Sequence, residues 1–385
     1  MIGYGRQDIS EEDISEVVAT LRSDYLTQGP RISDFERSVA TLCGVENGVA
    51  VNSATSALHL ACIALEVGPG DTIWTSPITF VASANCGRYC GANVDFVDID
   101  LKSNNLCVHK LEEKLEISKK RGVLPKVVIP VHMAGHSCNM KRIWELSKEY
   151  GFRVIEDASH ALGGKYRDGR VGSCQFSDIT VFSFHAVKII TTAEGGMALT
   201  KCDALSKKMR HYRSHGITRH PYDFINDACG PWYYEQHDLG FNYRMSDLQA
   251  ALGISQVKRL ERILSKRDEI ARFYDEALKD LPLIPPMYDP EVKSSHHLYI
   301  LKLAQRDPDT RARLFSHLHL HEVGTNVHYI PVHFHPYYQK LGFKHGSFPV
   351  AEDYYDRILT LPIHLGLSQQ DLNHIASVVR GFFLR

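Results

Sequence analysis

Val49-Ala50-Val51-Asn52-Ser53-Ala54-Thr55-Ser56-Ala57-Leu58 is the stretch from which the fold is read. Its first part is short and apolar, which predicts a strand over 49–52. Its second part is rich in small helix-compatible residues, opens on Ser and Thr, and predicts a helix over 55–65. Val67-Gly68-Pro69-Gly70 closes that helix. The same strand-then-helix unit recurs downstream. Strands are predicted over 72–75, 94–97, 127–131, 153–156, 179–183 and 196–200, and helices over 80–90, 110–119 and 140–150. Strands alternating with helices imply a mainly parallel sheet covered on both faces. Such sheets bind ligands beyond the carboxyl ends of their strands.

Upstream, Ser10 and Asp13 cap a periodic run (Ile14, Val17, Val18, Leu21), and a second helix over 32–42 ends at Gly44. Past residue 245 the pattern changes to one long amphipathic stretch over 246–278, ended by Pro282, Pro285 and Pro286. The expected division is a large α/β domain over 1–245 and a smaller α+β domain over 246–385, with the N-terminal segment free to pack on the smaller one.

Composition narrows the class. Lys+Arg number 44 and Asp+Glu 45, a net charge of −1, with no basic run, so no nucleic-acid partner is expected. No apolar run reaches the roughly 20 residues of a membrane span, and the polar start MIGYGRQDIS does not resemble a secretory leader. Nine scattered cysteines without Cys-x-x-Cys read as free thiols of a reducing, cytoplasmic compartment. His317-x-His319-x-His321 and His333-x-His335 lack a Cys/His framework, so no metal site is expected. No Gly-x-Gly-x-x-Gly follows the first strand, against a dinucleotide-binding reading.

Three segments at predicted strand ends carry chemistry. Asn52-Ser53-Ala54-Thr55 offers hydroxyls and free N–H groups at a helix start, an anion cradle or simply an N-cap. Glu156-Asp157-Ala158-Ser159-His160 puts carboxylates at the end of an apolar strand, for a protonated ring nitrogen or for capping. Ser183-Phe184-His185-Ala186-Val187-Lys188 places a lysine before a small-residue loop, a Schiff-base former or an ordinary solvated lysine. Together they supply the three contacts that pyridoxal 5′-phosphate needs, for phosphate, pyridinium nitrogen and aldehyde. Phe80 could stack on its ring or pack in the core.

From Tyr25-Leu26-Thr27-Gln28-Gly29-Pro30 to Leu361-Pro362-Ile363-His364 the chain resembles the DegT/DnrJ/EryC1/StrS nucleotide-sugar aminotransferases, pyridoxal-phosphate enzymes of fold type I, the aspartate aminotransferase-like fold. The motifs that carry this are Phe182-Ser183-Phe184-His185-x-Val187-Lys188-x-Ile190-Thr191-Thr192-x-Glu194-Gly195-Gly196 and Asp238-Leu239-Gly240-Phe241-Asn242-Tyr243-Arg244. Within the family the chain looks like the branch that aminates a UDP-linked 4-keto-6-deoxy-N-acetylhexosamine in pseudaminic acid biosynthesis. That branch usually has prolines at the positions of Ala186 and Ile189 and glycine at that of Ala193. Relatives that dehydrate sugars typically carry His in place of the Schiff-base lysine, and Lys188 argues against that activity here.

The resemblance implies roles residue by residue. Lys188 bonds to the cofactor and carries the proton, Asp157 pairs with the pyridinium nitrogen, and His160 sits beside the cofactor where many relatives have Gln. Ala54, Thr55 and Ser183 cradle the phosphate, and Phe80 stacks on the ring. Asn242 reaches the phosphate of a second subunit, which implies a homodimer with shared active sites. Tyr243, Arg244, His328 and Tyr329 line the sugar-nucleotide side. L-glutamate is the implied amino donor and 2-oxoglutarate its product.

Overall fold

The computed structural model describes residues 1–384; Arg385, the last residue of the expected smaller domain, lies outside them. Its central sheet has seven strands: β1 (Asn47–Val51), β2 (Thr72–Thr75), β3 (Asn93–Phe96), β4 (Val127–Ile129), β5 (Arg153–Asp157), β6 (Ile179–Ser183) and β7 (Gly196–Thr200). Their spatial order is β1-β7-β6-β5-β4-β2-β3. Pairings among β6, β5, β4, β2 and β3 are parallel, whereas β7 runs antiparallel to both of its neighbours. Six strands therefore end at the same edge, and β7 alone starts there.

The strands are largely apolar and mostly buried because both faces are covered. Ile73, Val127, Ile155 and Val181 pack with Leu58, Ala84 and Met209 of helices on one face. The alternate residues Trp74, Val128 and Val154 meet Leu111, Ile143 and Leu146 on the other. Phe182 joins Phe35 and Val39 on that second side. Each such side chain, fully buried, contributes roughly 1.5–3 kcal/mol.

The helices here are α1 (Glu11–Leu21), α2 (Pro30–Cys43), α3 (Ala54–Ala64), α4 (Ala82–Tyr89), α5 (Val108–Arg121), α6 (Met140–Tyr150), α7 (Asp203–Arg213), α8 (Asp247–Lys258) and α9 (Leu260–Ala277). The Ser10–Asp13 capping box at the start of α1 and left-handed Gly44 at the end of α2 match the expectation. Helix α4 starts two residues later than expected, which leaves Phe80 in the preceding turn. The expected strand over 127–131 stops at Ile129, because Pro130 has no N–H for the ladder. The expected helix over 246–278 is two helices that meet at Arg259, whose guanidinium turns to Asp8 and Asp13 (2.6 Å each).

The smaller unit is built on β8 (Leu283–Ile284), β9 (Tyr299–Leu303) and β10 (Ile358–Leu361), in the order β8-β9-β10. Its core holds Ile270, Tyr274, Leu301, Leu314, Leu359 and Ile375. No break in packing marks residue 245. Ala250, Leu260 and Leu264 still belong to a core of the large unit, and the change of partners falls inside α9, between Leu264 and Ile270. The N-terminus joins the smaller unit. Ile2 bridges to Val323, and its carbonyl accepts from the Gly324 N–H at 2.7 Å.

Candidate active site

A cavity of about 800 Å³ opens where the parallel strands end, closed on its far side by the smaller unit and by Tyr4 and Gly5. Ala54, Thr55, Phe80, Asp157, His160, Ser183, Lys188, His328 and Tyr329 all line it. Five separate segments thus bring nine of the twelve expected site residues to one place.

The anion cradle follows from how β1 hands over to α3. Ser53 is the N-cap, and its Oγ accepts from the Ser56 N–H at 3.1 Å. The first N–H groups of a helix have no partner within it, so those of Ala54 and Thr55 are available at the cavity wall, at the positive end of α3. Gly196 makes this possible: a Cβ there would lie 2.5 Å from the Ala54 nitrogen. Only glycine lets β7 run so close beneath the helix start.

The two acids of β5 separate by strand alternation. Glu156 points away from the cavity and is consumed by His132 (2.8 Å), Ser177 (2.5 Å) and Thr180 (2.9 Å). Asp157 points into it. Its Oδ2 accepts from the Ser83 hydroxyl at 2.5 Å, and its Oδ1 accepts from the N–H and hydroxyl of Ser159 at 3.1 and 2.6 Å. Three donors fix the carboxylate, and Oδ2, which accepts only one of them, keeps a lone pair for a further partner.

Lys188 sits on the connection between β6 and β7, whose facing ends Ser183 and Gly196 are paired. Within that connection the Phe184 N–H donates to Gly195 and the Thr192 N–H to Phe184, both at 2.9 Å. Ala193 has φ 64°, a left-handed conformation that favours glycine. The lysine Nζ lies 3.5 Å from His297 Nε2. Burial pulls its pKa down from 10.5 to about 8, against the attraction of Asp157.

Two more histidines and a tyrosine enclose that amine. His160 Nδ1 accepts from the Ala134 N–H at 3.3 Å, so its proton is on Nε2, donated to the Tyr329 hydroxyl at 3.1 Å. Burial, then the nearby Lys188 charge, holds His160 well below the usual histidine range. His328 is bonded through Nδ1 to Thr360 at 2.8 Å, and burial lowers it to about 4. Phe80 is 58% exposed, its ring facing the cavity with Tyr329 at 6.2 Å.

Asn242, Tyr243 and Arg244 are not among the cavity's lining residues. Asn242 is exposed, Tyr243 bonds His59 at 3.1 Å and stacks on Phe241, and Arg244 bridges Val51. Sequence reasoning passed over His297, Ser83 and Tyr4. Ser83 faces Asp157 from the first turn of α4, a placement that becomes visible only when the helix start is known. His297 precedes β9 of the smaller unit, where the strand-end rule of the large sheet does not reach.

The residues present fit pyridoxal phosphate on their own chemistry. A depressed lysine, a pre-oriented carboxylate, an open helix N-terminus and a bare aromatic face converge in one cavity. No cluster of metal-ligating side chains occurs among the described residues, and no helix among them is long and apolar enough to cross a membrane.

Comparison with known proteins agrees with this geometry. The model of the DegT/DnrJ/EryC1/StrS aminotransferase family matches residues 7–380. The chain is similar to the spore coat polysaccharide biosynthesis protein SpsC of Bacillus subtilis, 40% identical over 98% of this chain and 96% of that one. It is similar to the UDP-4-amino-4,6-dideoxy-N-acetyl-β-L-altrosamine transaminase of Campylobacter jejuni, 36% identical over 97% and 96%. Spr1654 of Streptococcus pneumoniae superposes in its PLP form with a TM-score of 0.90 at 30% identity, covering 100% of this chain and 98% of that one.

Proposed function

This chain belongs to the DegT/DnrJ/EryC1/StrS aminotransferase family, and on that premise we propose that it aminates C4 of a UDP-linked 4-keto-6-deoxy-N-acetylhexosamine, taking the amino group from L-glutamate and using pyridoxal phosphate. The observation that carries the reading is the meeting of the Lys188 amine and the Asp157 carboxylate in one enclosed cavity. The sugar is argued from the transaminase of C. jejuni, similar along nearly its whole length.

Ala54, Thr55 and Ser183 would hold the phosphate, Asp157 the ring nitrogen, Phe80 the ring face and Lys188 the aldehyde carbon. The bound cofactor supplies an electron sink for the carbon that loses its proton. Lys188, titrating near 8, has a share of free base at neutral pH and can take the donor's Cα proton and give it back. A positioned base of this kind contributes roughly 10²–10⁴-fold. His160 stays neutral and donates through Nε2, so it orients without competing for that proton. The small unit and Tyr4 wall the far side of the cavity.

The residues outside the cavity, Asn242, Tyr243 and Arg244, act in this reading on a second subunit's site, Asn242 at its phosphate, within a homodimer. Nine free thiols fit a cytoplasmic setting. A second reading, another nucleotide-linked keto-sugar used in a surface polysaccharide, is favoured by the 40% identity to SpsC.

The test is visible absorption of the cofactor-loaded protein. L-glutamate should bleach the cofactor band, and the UDP-linked 4-keto sugar should restore it. Restoration only by a GDP- or TDP-linked keto-sugar would select the second reading. No cofactor band at all would refute both.

A further inference from the structure

Among the described residues, the hydrogen bond that Lys188 Nζ makes is to a residue of the smaller unit, His297. His297 is 5% exposed and wedged against the His160 ring, centroids 4.5 Å apart. Its own backbone is clamped. Arg267 Nη1 donates to the carbonyls of His296, His297 and Ile363 at 3.2, 3.2 and 3.1 Å. Arg267 is 3% exposed, and no carboxylate pairs with it among the described residues. A buried guanidinium without a counter-ion is costly. Here it is aimed at the two backbone segments that close over Lys188.

The charged and titratable groups that face His297 are Lys188, His160, Arg267 and His328, with Asp157 beyond the lysine. None of the four nearest favours a proton on the imidazole, and burial opposes one first of all. The ring is therefore neutral and carries one N–H. Its Nδ1 is buried without a partner. A buried N–H without an acceptor is rarer than a lone pair without a donor, which puts the proton on Nε2 when the facing Lys188 amine is unprotonated and can accept it.

We propose that His297 is a positioning residue for Lys188: whenever the lysine amine has lost its proton, the imidazole Nε2–H is donated to it and holds that free base oriented, and Arg267 fixes His297 in place. The inference rests on the reading of Lys188 as the proton-carrying amine. It adds that a residue of the smaller unit governs how that amine is presented. Placement of the smaller unit then controls the reactivity of a lysine that belongs to the larger one.

The experiment uses the cofactor-free protein and needs no sugar. Lys188 is labelled with trace acetic anhydride across a pH series, and its modification is read by mass spectrometry in the wild type, His297→Phe and His297→Gln. The wild-type midpoint is expected near 8. Losing one hydrogen bond to the free amine should raise the midpoint in His297→Phe by about one pH unit, and His297→Gln, which keeps an N–H, should restore it. Replacing imidazole by an apolar ring would on its own lower the midpoint, so the sign separates the two causes. An unchanged or lowered midpoint in His297→Phe, or a Gln variant that shifts as far as Phe, overturns the proposal. If circular dichroism shows that His297→Phe does not fold, His297→Leu takes its place under the same criteria. Failure here leaves the aminotransferase reading standing, and a missing cofactor band would undo that reading without touching this profile.

Discussion

Replacing Lys188 with methionine should stabilise the cofactor-free protein while ending its activity. The amine titrates near 8 in the fold instead of at 10.5. At about 1.4 kcal/mol per pH unit, enclosing it costs about 3 kcal/mol at pH 7, an upper value because water in the cavity screens part of it. Methionine has similar length and no charge to desolvate. The sign follows from linkage. The folded pKa is depressed, so the unfolded chain binds the proton more tightly. The fold therefore loses stability as pH falls from 10.5 to about 8, and the full penalty applies below that. The advantage of Lys188→Met should thus be largest at pH 7 and shrink to roughly half by pH 9.5. Urea denaturation of both cofactor-free proteins at the two pH values measures it. A variant no more stable than wild type at pH 7, or a gap that does not narrow on raising the pH, would refute the electrostatic account of this lysine.

Other expectations concern the shell around it. Asp157→Asn should lower kcat by at least about 10²-fold with thermal stability nearly kept, because Ser159 can still donate to the amide oxygen and the Ser83 hydroxyl can turn to accept from the amide N–H; steady-state kinetics beside a melting curve would decide. Gly196→Ala should weaken pyridoxal phosphate binding by tenfold or more, about 1.4 kcal/mol, since the added carbon falls 2.5 Å from the Ala54 nitrogen and must push the start of α3 aside; an absorbance titration of the cofactor-free protein reads this directly. Ala193→Gly should stabilise by about 1 kcal/mol, because φ 64° strains alanine and not glycine; a raised denaturation midpoint with unchanged activity is the expected result.

The large sheet was legible because its strands are largely apolar on both faces and helices such as α3 and α6 open on side-chain caps. Strands β2, β6 and β7 and helix α6 fall where periodicity places them. The antiparallel direction of β7 was not legible, since a buried strand reads the same either way. Asp157 and Lys188 were found because they follow strands, and the choice of Asp157 over Glu156 needed only the alternation of a strand once its register was known. His297, Arg267 and Tyr4 stayed hidden for the opposite reason. They approach the cavity from the smaller unit and from the N-terminus, across separations that no local pattern encodes. The long helix over 246–278 was misread as continuous because nothing in its composition breaks it; the turn at Arg259 serves a tertiary ion pair with Asp8 and Asp13.

The reversed strand β7 has a consequence for how the site tolerates change. Because β6 and β7 are neighbours joined at their facing ends, the lysine rides on a short clasp locked by its own ladder. Apart from Ser183 at the end of β6, the other expected groups at the cavity are delivered by separate stretches of chain. The backbone of Lys188 is thus the stationary member of the constellation, set by contacts within the clasp, and the cradle, the carboxylate and the histidines, including the one that orients its amine, are the adjustable ones. Lesions remote from the clasp should leave a lysine that still reacts with small carbonyl reagents but no longer meets its partners, so that simple imine-forming reactivity outlives transamination along any series of progressively damaged variants.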